Sequence, residues 1–303
     1  MTRSPRLALA TCANLPDWEV DDRPLHAALA RRGASVEQPC WDDPEVDWAS
    51  FDAVVIRTTW DYQHRCQDFV RWAEAVEART RLFNPAAVVA WNTDKRYLRE
   101  LGERGVALAP SLWLEPGEAV DLRAAVADFA SERAFFKPVV GASAVGTRRF
   151  STTDADELAA AAADLDAHLA AGEAMILQPY LASVEDQGEL SVLVYDGEPC
   201  YGVRKIPVPG DYRVQDDYGA SDEPWQPDEA ARELVARSLA ALGQRIRELG
   251  GRDEALLYAR VDMLRDHEGA LVLNELELVE PSLFFRHDPR AGEGFADALL
   301  RRL

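Results

Sequence analysis

The chain has 303 residues, 48% of them hydrophobic and 28% charged, with a formal net charge of −20. That is the composition of a folded globular protein, with room for one large core or for two or three smaller ones. The acidic excess argues against general electrostatic binding to nucleic acid or to an anionic membrane, and no run reaches the ~18 apolar residues that a membrane span needs.

The N-terminal apolar run is too short for a signal-peptide core and is broken by Asn14, Pro16 and Asp17. Cys12, Cys40, Cys66 and Cys200 form no CxxC pair and no His cluster accompanies them. Together these features give the expectation of a cytoplasmic protein with four reduced thiols.

In chain order, residues 6–11 form a short apolar strand, 23–32 an amphipathic helix ended by Gly33, and 34–38 a second strand. Residues 51–57 hold an unbroken VVI run suited to a buried parallel strand, and 67–78 are helical. This alternation predicts a small parallel-sheet domain over residues 1–90. RTTWDY follows the VVI strand. Ligands of parallel sheets sit beyond the carboxyl ends of strands, so Arg57, Thr58, Thr59, Trp60 and Asp61 are candidate substrate contacts, with a capping loop as the alternative.

A second unit is expected over 91–173. It comprises a helix at 93–102 carrying Lys95, strands at 111–114 and 134–140, a helix between them at 121–131, and an Ala-rich helix at 153–171. The third unit, 174–303, opens with a strand at 174–178. Strands at 189–195 and 199–205, a loop at 206–227 and a long helix at 228–249 follow, then a hairpin over 256–278.

The hairpin carries the strongest chemical signal. With pairing centred on the turn tetrad 266–269, Asp262 lies opposite Leu273 and Arg260 opposite Glu275. Strand alternation then puts Tyr258, Arg260, Asp262, Glu275 and Glu277 on one face. The other face takes Leu257, Ala259, Val261, Met263, Val272, Leu276 and Leu278, with Asn274 its lone polar member. Three neighbouring carboxylates repel one another and normally need a cation; oxygen donors without Cys or His favour Mg²⁺ over zinc. A solvated hairpin face is the alternative.

Two further segments suit an anionic ligand. In FFKPVVGASAVGT, an apolar strand delivers Lys137 to a small-residue loop containing Gly141, Ser143 and Gly146, where backbone N–H groups can approach phosphate oxygens. The Lys-Ser/Thr of a P-loop is missing, and so is a GxGxxG dinucleotide fingerprint. Arg204, Lys205 and Arg213 cluster in VRKIPVPGDYRVQ, a cationic patch in an acidic chain that fits a polyphosphate or carboxylate, or else makes ordinary surface ion pairs.

Taken in order, these motifs resemble the ATP-grasp superfamily, particularly glutathione synthetases, D-alanine–D-alanine ligases and ribosomal-protein glutamate ligases. The resemblance implies an α/β ATP-grasp fold, with an N-terminal parallel-sheet domain and two α+β lobes enclosing ATP. It also implies Lys95 and Lys137 on the phosphates, the loop from Gly141 to Gly146 over them, and Gln178, Tyr180 and Leu181 in an adenine-binding hinge. Glu189 would bind the ribose. Arg204, Lys205, Arg213 and Arg260 would face the transferring phosphate and the acyl phosphate, and Asp262, Glu275 and Glu277 would hold Mg²⁺. Glu277 stands where the superfamily usually has Asn, which leaves the number of metal ions open.

WDDP, VVIRTTWDY, WNTDKRYL and NELELVEPSLFF further resemble the branch containing the cyclo-ligase that closes O-ureido-D-serine to D-cycloserine. The implied activity is ATP-dependent, ADP-forming ligation of a small amino-acid-like carboxylate to a nitrogen through an acyl phosphate. A non-catalytic nucleotide-binding module, a phosphotransferase and an amide ligase of another natural-product pathway are the alternatives. The expected partner is a small molecule; oligomeric state is left open, with a homodimer among the options.

Overall fold

A computed structural model of the chain describes residues 3–15, 19–129, 131–141, 145–250, 254–288 and 290–303. The first unit is a parallel sheet in the order β2-β1-β3-β4. It is built by β1 (Arg6–Thr11), α1 (Arg23–Arg31), β2 (Ser35–Glu37), β3 (Ala53–Thr58), α2 (Cys66–Glu77) and β4 (Arg81–Phe83). Every residue of β3 is buried, as a parallel strand covered on both faces requires. Leu7, Leu9, Ala53 and Val55 face α1, whereas Ala8, Ala10, Val54 and Ile56 face Trp41, Phe69 and Val76 on the other side. β4 is too short and too lightly patterned to stand out in the sequence.

Arg57 is turned into the protein interior. Its guanidinium is buried and bidentate on Asp22, at 2.9 and 2.7 Å, and it also donates to the Pro281 carbonyl at 3.2 Å. Thr58 donates to Thr11 Oγ1 at 2.8 Å, and Asp61 accepts from Trp41 Nε1 at 2.8 Å. These residues close the carboxyl end of the sheet. The expectation of substrate contact at Arg57, Thr58 and Asp61 is corrected accordingly.

Two helices, α3 (Ala86–Asn92) and α4 (Tyr97–Glu103), replace the single helix expected at 93–102, so Lys95 lies in the turn between them. β5 (Leu112–Leu114), α5 (Leu122–Ala125), β6 (Arg133–Pro138), β7 (Arg148–Ser151), α6 (Ala155–Ala170) and β8 (Met175–Pro179) make the second sheet, in the order β5-β8-β6-β7. The strand expected to open the third unit, β8, thus pairs inside the second. Ala134, Phe136, Met175 and Leu177 pack on α6, so alternation turns Phe135, Lys137 and Gln178 to the opposite face.

The third sheet is antiparallel, in the order β11-β10-β9-β12-β13. It follows α7 (Ser183–Gln187) and comprises β9 (Glu189–Tyr195), β10 (Glu198–Ile206), β11 (Ser221–Trp225), β12 (Tyr258–Arg265) and β13 (Leu271–Glu277). It also includes α8 (Glu229–Glu248) on one face, and α9 (Ala291–Arg301) returns to the first unit. β11 lies within the expected loop. As an edge strand it tolerates Pro224, which would interrupt a central one. Gly292 in α9 lies against the start of α1, where a Cβ would come within 2.7 Å of the Pro24 backbone.

The hairpin register differs from expectation. Arg260 pairs with Glu277 and Asp262 with Glu275, but Met263 pairs with Leu273, which leaves Asn274 as a bulge. Beyond the bulge the faces exchange. Leu271 and Leu273 join the core under α8 in place of Val272, and Asn274 turns to the charged side.

β13 is an edge strand whose free backbone groups are taken by side chains. Leu276 N–H donates to Tyr97 Oη at 2.8 Å, and Leu276 O accepts from Asn92 Nδ2 at 2.8 Å. Leu278 N–H donates to Asn92 Oδ1 at 2.9 Å, and Leu278 O accepts from Asn84 Nδ2 at 2.7 Å. No helix among the described residues is long and apolar enough to cross a membrane. Asn92→Ala strands two buried backbone groups and is expected to cost about 1–3 kcal/mol for each group left unsatisfied; an unchanged urea midpoint would contradict this role.

Candidate active site

A cleft of about 450 Å³ opens between the second and third sheets. The first unit contributes Cys12, Asn14, Trp60 and Tyr62 to its wall. The charged face of the third sheet is the floor. Near the first unit this face is apolar, with Leu193, Tyr195, Val203 and Tyr258 packed against α9 and α1. Farther along it carries Glu189, Ser191, Lys205, Arg260, Asp262, Glu275 and Glu277, all from strand positions that alternate away from the α8 core.

The charges interlock. Arg260 donates to both oxygens of Asp262 at 2.9 Å, and its second amine group also pairs with Glu277. Ser191 donates to Asp262 at 2.6 Å. Lys205 Nζ lies 2.9 Å from Glu189 and 3.4 Å from Asp262. Glu189 also accepts from Asn274 at 2.8 Å, so both of its oxygens are engaged. Gly188 brings β9 against β10 at this point; it has φ +74°, and a Cβ there would lie 2.4 Å from the Lys205 carbonyl. The GEL sequence is the local trace of that contact.

From the second sheet, Lys137 Nζ reaches down to Glu275 at 2.7 Å. Lys95 Nζ donates to the Gly141 carbonyl at 2.6 Å and lies 3.9 Å from Glu275. The Lys95 backbone N–H donates to Val139 O at 2.8 Å, which fixes the turn between α3 and α4 to the end of β6. Gly141, Val145 and Thr147 line the cleft, while Gly146 packs on Pro138; Ser143 lies outside the described residues.

At the other end, Phe135, Tyr180, Leu181, Val184 and Leu264 make an apolar slot. Gln178 donates to Ser111 at 2.8 Å, but its buried Oε1 has no partner. Arg213 lines the cleft, pairs with Asp211 at 2.7 Å and lies over the Tyr218 ring. Arg204, by contrast, points out to Glu223, because it alternates with Lys205 along β10. Of the RTTWDY segment, Trp60 and Tyr62 line the cleft, and Trp60 Nε1 donates to Glu280 O at 3.1 Å; Arg57, Thr58, Thr59 and Asp61 do not line it.

These pairings change the electrostatic expectation. Among the described residues no three carboxylate, His or Cys side chains converge at metal-binding geometry. Asp262 is paired with Arg260 and Glu275 with Lys137 instead, and Glu277 shares the Arg260 guanidinium. The donor set is still all oxygen, it faces the cleft, and the Lys137 ammonium on Glu275 occupies a position of cation character. That chemistry fits a hard divalent cation.

Burial opposes the charge of Glu275, but Lys137 and then Lys95 outweigh it and hold the carboxyl down to about 2. Asp262 lies below its ordinary range because Arg260 and Lys205 overcome the effect of burial. Glu277 is raised, by burial first and then by Asp262 and Glu275, despite Arg260. Glu280 is pushed up to about 8, by burial and then by Glu277.

Sequence reasoning missed Glu280, Tyr62, Ser282 and Phe284, all on the cleft wall. They lie beyond strand periodicity. Phe284 has φ +49°, a left-handed conformation rare for a bulky side chain, and lies over Arg260 and Arg286.

A family model described as the N-terminal domain of D-cycloserine synthetase DcsG matches residues 7–84. The chain is 34% identical to cycloserine biosynthesis protein DcsG of Streptomyces lavendulae, with 98% of each chain covered. It superposes on the crystal structure of D-cycloserine synthetase DcsG with a TM-score of 0.85 at 32% identity, over 98% of this chain and 99% of that one. D-alanine–D-alanine ligase from Bacillus anthracis, solved with ATP, shares the fold, with a TM-score of 0.68 at 15% identity over 98% and 97%. With such identity sustained along both chains, this protein belongs to the D-cycloserine synthetase family of ATP-grasp carbon–nitrogen ligases.

Proposed function

We propose that the chain uses ATP to activate the carboxylate of O-ureido-D-serine, or of a closely similar small amino acid, and closes a ring by attack of an internal nitrogen. The observation that carries this reading is the full-length identity to cycloserine biosynthesis protein DcsG. The interlocked Lys137, Glu275, Arg260 and Asp262 on the cleft floor are the chemistry it requires.

Adenine fits the apolar slot between Phe135 and Leu264, where the free Gln178 Oε1 can accept from its exocyclic amine. Lys95 and Lys137 bind the phosphates. Asp262, Glu275 and Glu277 would hold Mg²⁺, which supplies charge neutralisation along the polyphosphate. The substrate carboxylate attacks the terminal phosphorus and ADP departs, leaving an acyl phosphate. The internal nitrogen then attacks the acyl carbon, loses its proton, and inorganic phosphate leaves.

Arg260 and Arg213 supply positive charge where the phosphoryl oxygens and the tetrahedral oxyanion develop charge. Lys205 is fixed by Glu189 and adds to the same field. Gly141, Val145 and Thr147 line the phosphate end of the cleft and limit the access of water to the acyl phosphate. No side chain is needed as a covalent nucleophile.

Glu275→Gln is expected to lower substrate-dependent ADP release by at least roughly 10²-fold while the circular dichroism spectrum stays unchanged. Near-normal release would remove the metal and phosphate assignment. Lys137→Ala should weaken ATP binding about tenfold or more, and an unchanged affinity would contradict its place at the phosphates. Hydroxylamine should trap a hydroxamate only while ATP is being consumed, since a phosphotransferase that makes no acyl phosphate gives none.

The raised pKa of Glu280 also sets a pH dependence. The folded protein holds this proton more tightly than the unfolded chain, so stability is lost as pH rises from about 4.5 to about 8. Urea midpoints of the nucleotide-free protein should fall less over that interval for Glu280→Gln than for the wild type; parallel curves would contradict the shift.

A further inference from the structure

The floor of the cleft is a lattice of matched charges, with one exception. Glu189 is paired with Lys205, Asp262 and Glu277 with Arg260, Glu275 with Lys137, and Asp216 with Arg286. Among the described residues, Glu280 is the cleft carboxylate with no cationic partner within 4 Å, although it shares its electrostatic environment with Glu277, Lys95 and Arg260. It is half-buried, at the end of the cleft made by the first unit and away from the apolar slot.

Its backbone is held firmly from both sides. Trp60 Nε1 donates to the Glu280 carbonyl at 3.1 Å, and Arg57 donates to the next carbonyl, that of Pro281, while pinned by Asp22. Two residues at the end of β3, Trp60 and Arg57, the latter through its buried ion pair with Asp22, thus fix the backbone that carries the Glu280 side chain. A partly desolvated carboxylate without a counter-charge is costly unless a ligand supplies one.

We propose that Glu280 binds the α-ammonium of the substrate and so makes the enzyme selective for amino acids over plain carboxylic acids. The proposal rests on the functional reading above and deepens it. In an amino acid the ammonium is one carbon from the carboxylate. When Lys95 and Arg260 draw the carboxylate toward the phosphates, the ammonium is left to face the neighbouring, unpaired acid. Trp60 and Tyr62 line the cleft beside it. Raised to about 8, Glu280 keeps its proton in the free protein near neutral pH and releases it to solvent when the ammonium supplies the missing positive charge.

The test compares O-ureido-D-serine with its des-amino analogue, 3-(ureidooxy)propanoate, by ADP release from wild type, Glu280→Gln and Glu280→Asp, all with Mg·ATP. For the wild type, kcat/KM should favour the amine-bearing substrate by about 10- to 100-fold, the factor a charged hydrogen bond supplies. Glu280→Gln should collapse that preference through the KM of the amino acid, with the KM of ATP unchanged, and Glu280→Asp should restore part of it. Equal losses on both substrates would assign Glu280 to proton transfer or structure and overturn the proposal, as would a retained preference. A wild-type enzyme that releases no ADP with O-ureido-D-serine or with any small amino acid close to it would overturn the functional reading, and this assignment with it. A wild type active on both substrates without preference overturns only the ammonium site.

Discussion

The active-site floor depends on how one edge strand is held. An edge strand has a row of unpaired N–H and C=O groups, and such strands slip register or recruit foreign chains. In β13 those groups are consumed by Asn84, Asn92 and Tyr97, and the Leu273 N–H is taken by the Ala107 carbonyl. A slip of one residue would send Leu276 into the cleft and Glu275 and Glu277 into the core. The segment between the first and second units therefore acts as a template for the strand that carries the carboxylates, and the Asn274 bulge sets where the charged and apolar faces exchange.

On that fixed floor, the opposing sheet places its cations by the same alternation. Phe136 and Leu177 anchor α6, so Phe135, Lys137 and Gln178 look toward the third sheet. The result is a cleft with an apolar slot at one end and a floor of paired charges beyond it. Charges here are partly shielded from water, so each pairing acts more strongly than it would on the surface. The matched lattice also explains how three carboxylates coexist in the protein alone. Arg260 and Lys205 hold Asp262 in its ionised form and Lys137 and Lys95 hold Glu275, while Glu277 is pushed up.

Much of this was legible in the sequence, for identifiable reasons. The apolar run of β3 and the long α8 follow from local periodicity, and the shared face of Arg260, Asp262, Glu275 and Glu277 follows from strand alternation, even though the register was displaced. What was not legible is non-local. Arg57 resembles a ligand contact until Asp22, 35 residues earlier in the chain, is brought against it. β8 belongs to the second sheet because of its pairing with β5 and β6, which no local pattern encodes. Arg204 and Lys205 look equivalent in sequence, and only the pleat separates an outward residue from an inward one. Glu280 has no motif; its lack of a partner is visible only once every other carboxylate in the cleft has found one.

We propose that the Lys137 ammonium on Glu275 marks the place where nucleotide and metal charge are exchanged. A crystal structure with Mg²⁺ and a non-hydrolysable ATP analogue tests it most directly. Lys137 is then expected to leave Glu275 for a phosphate oxygen and the metal to coordinate Glu275. A nucleotide bound elsewhere, or bound in the cleft with the Lys137–Glu275 pair intact and Glu275 away from the metal, would contradict it.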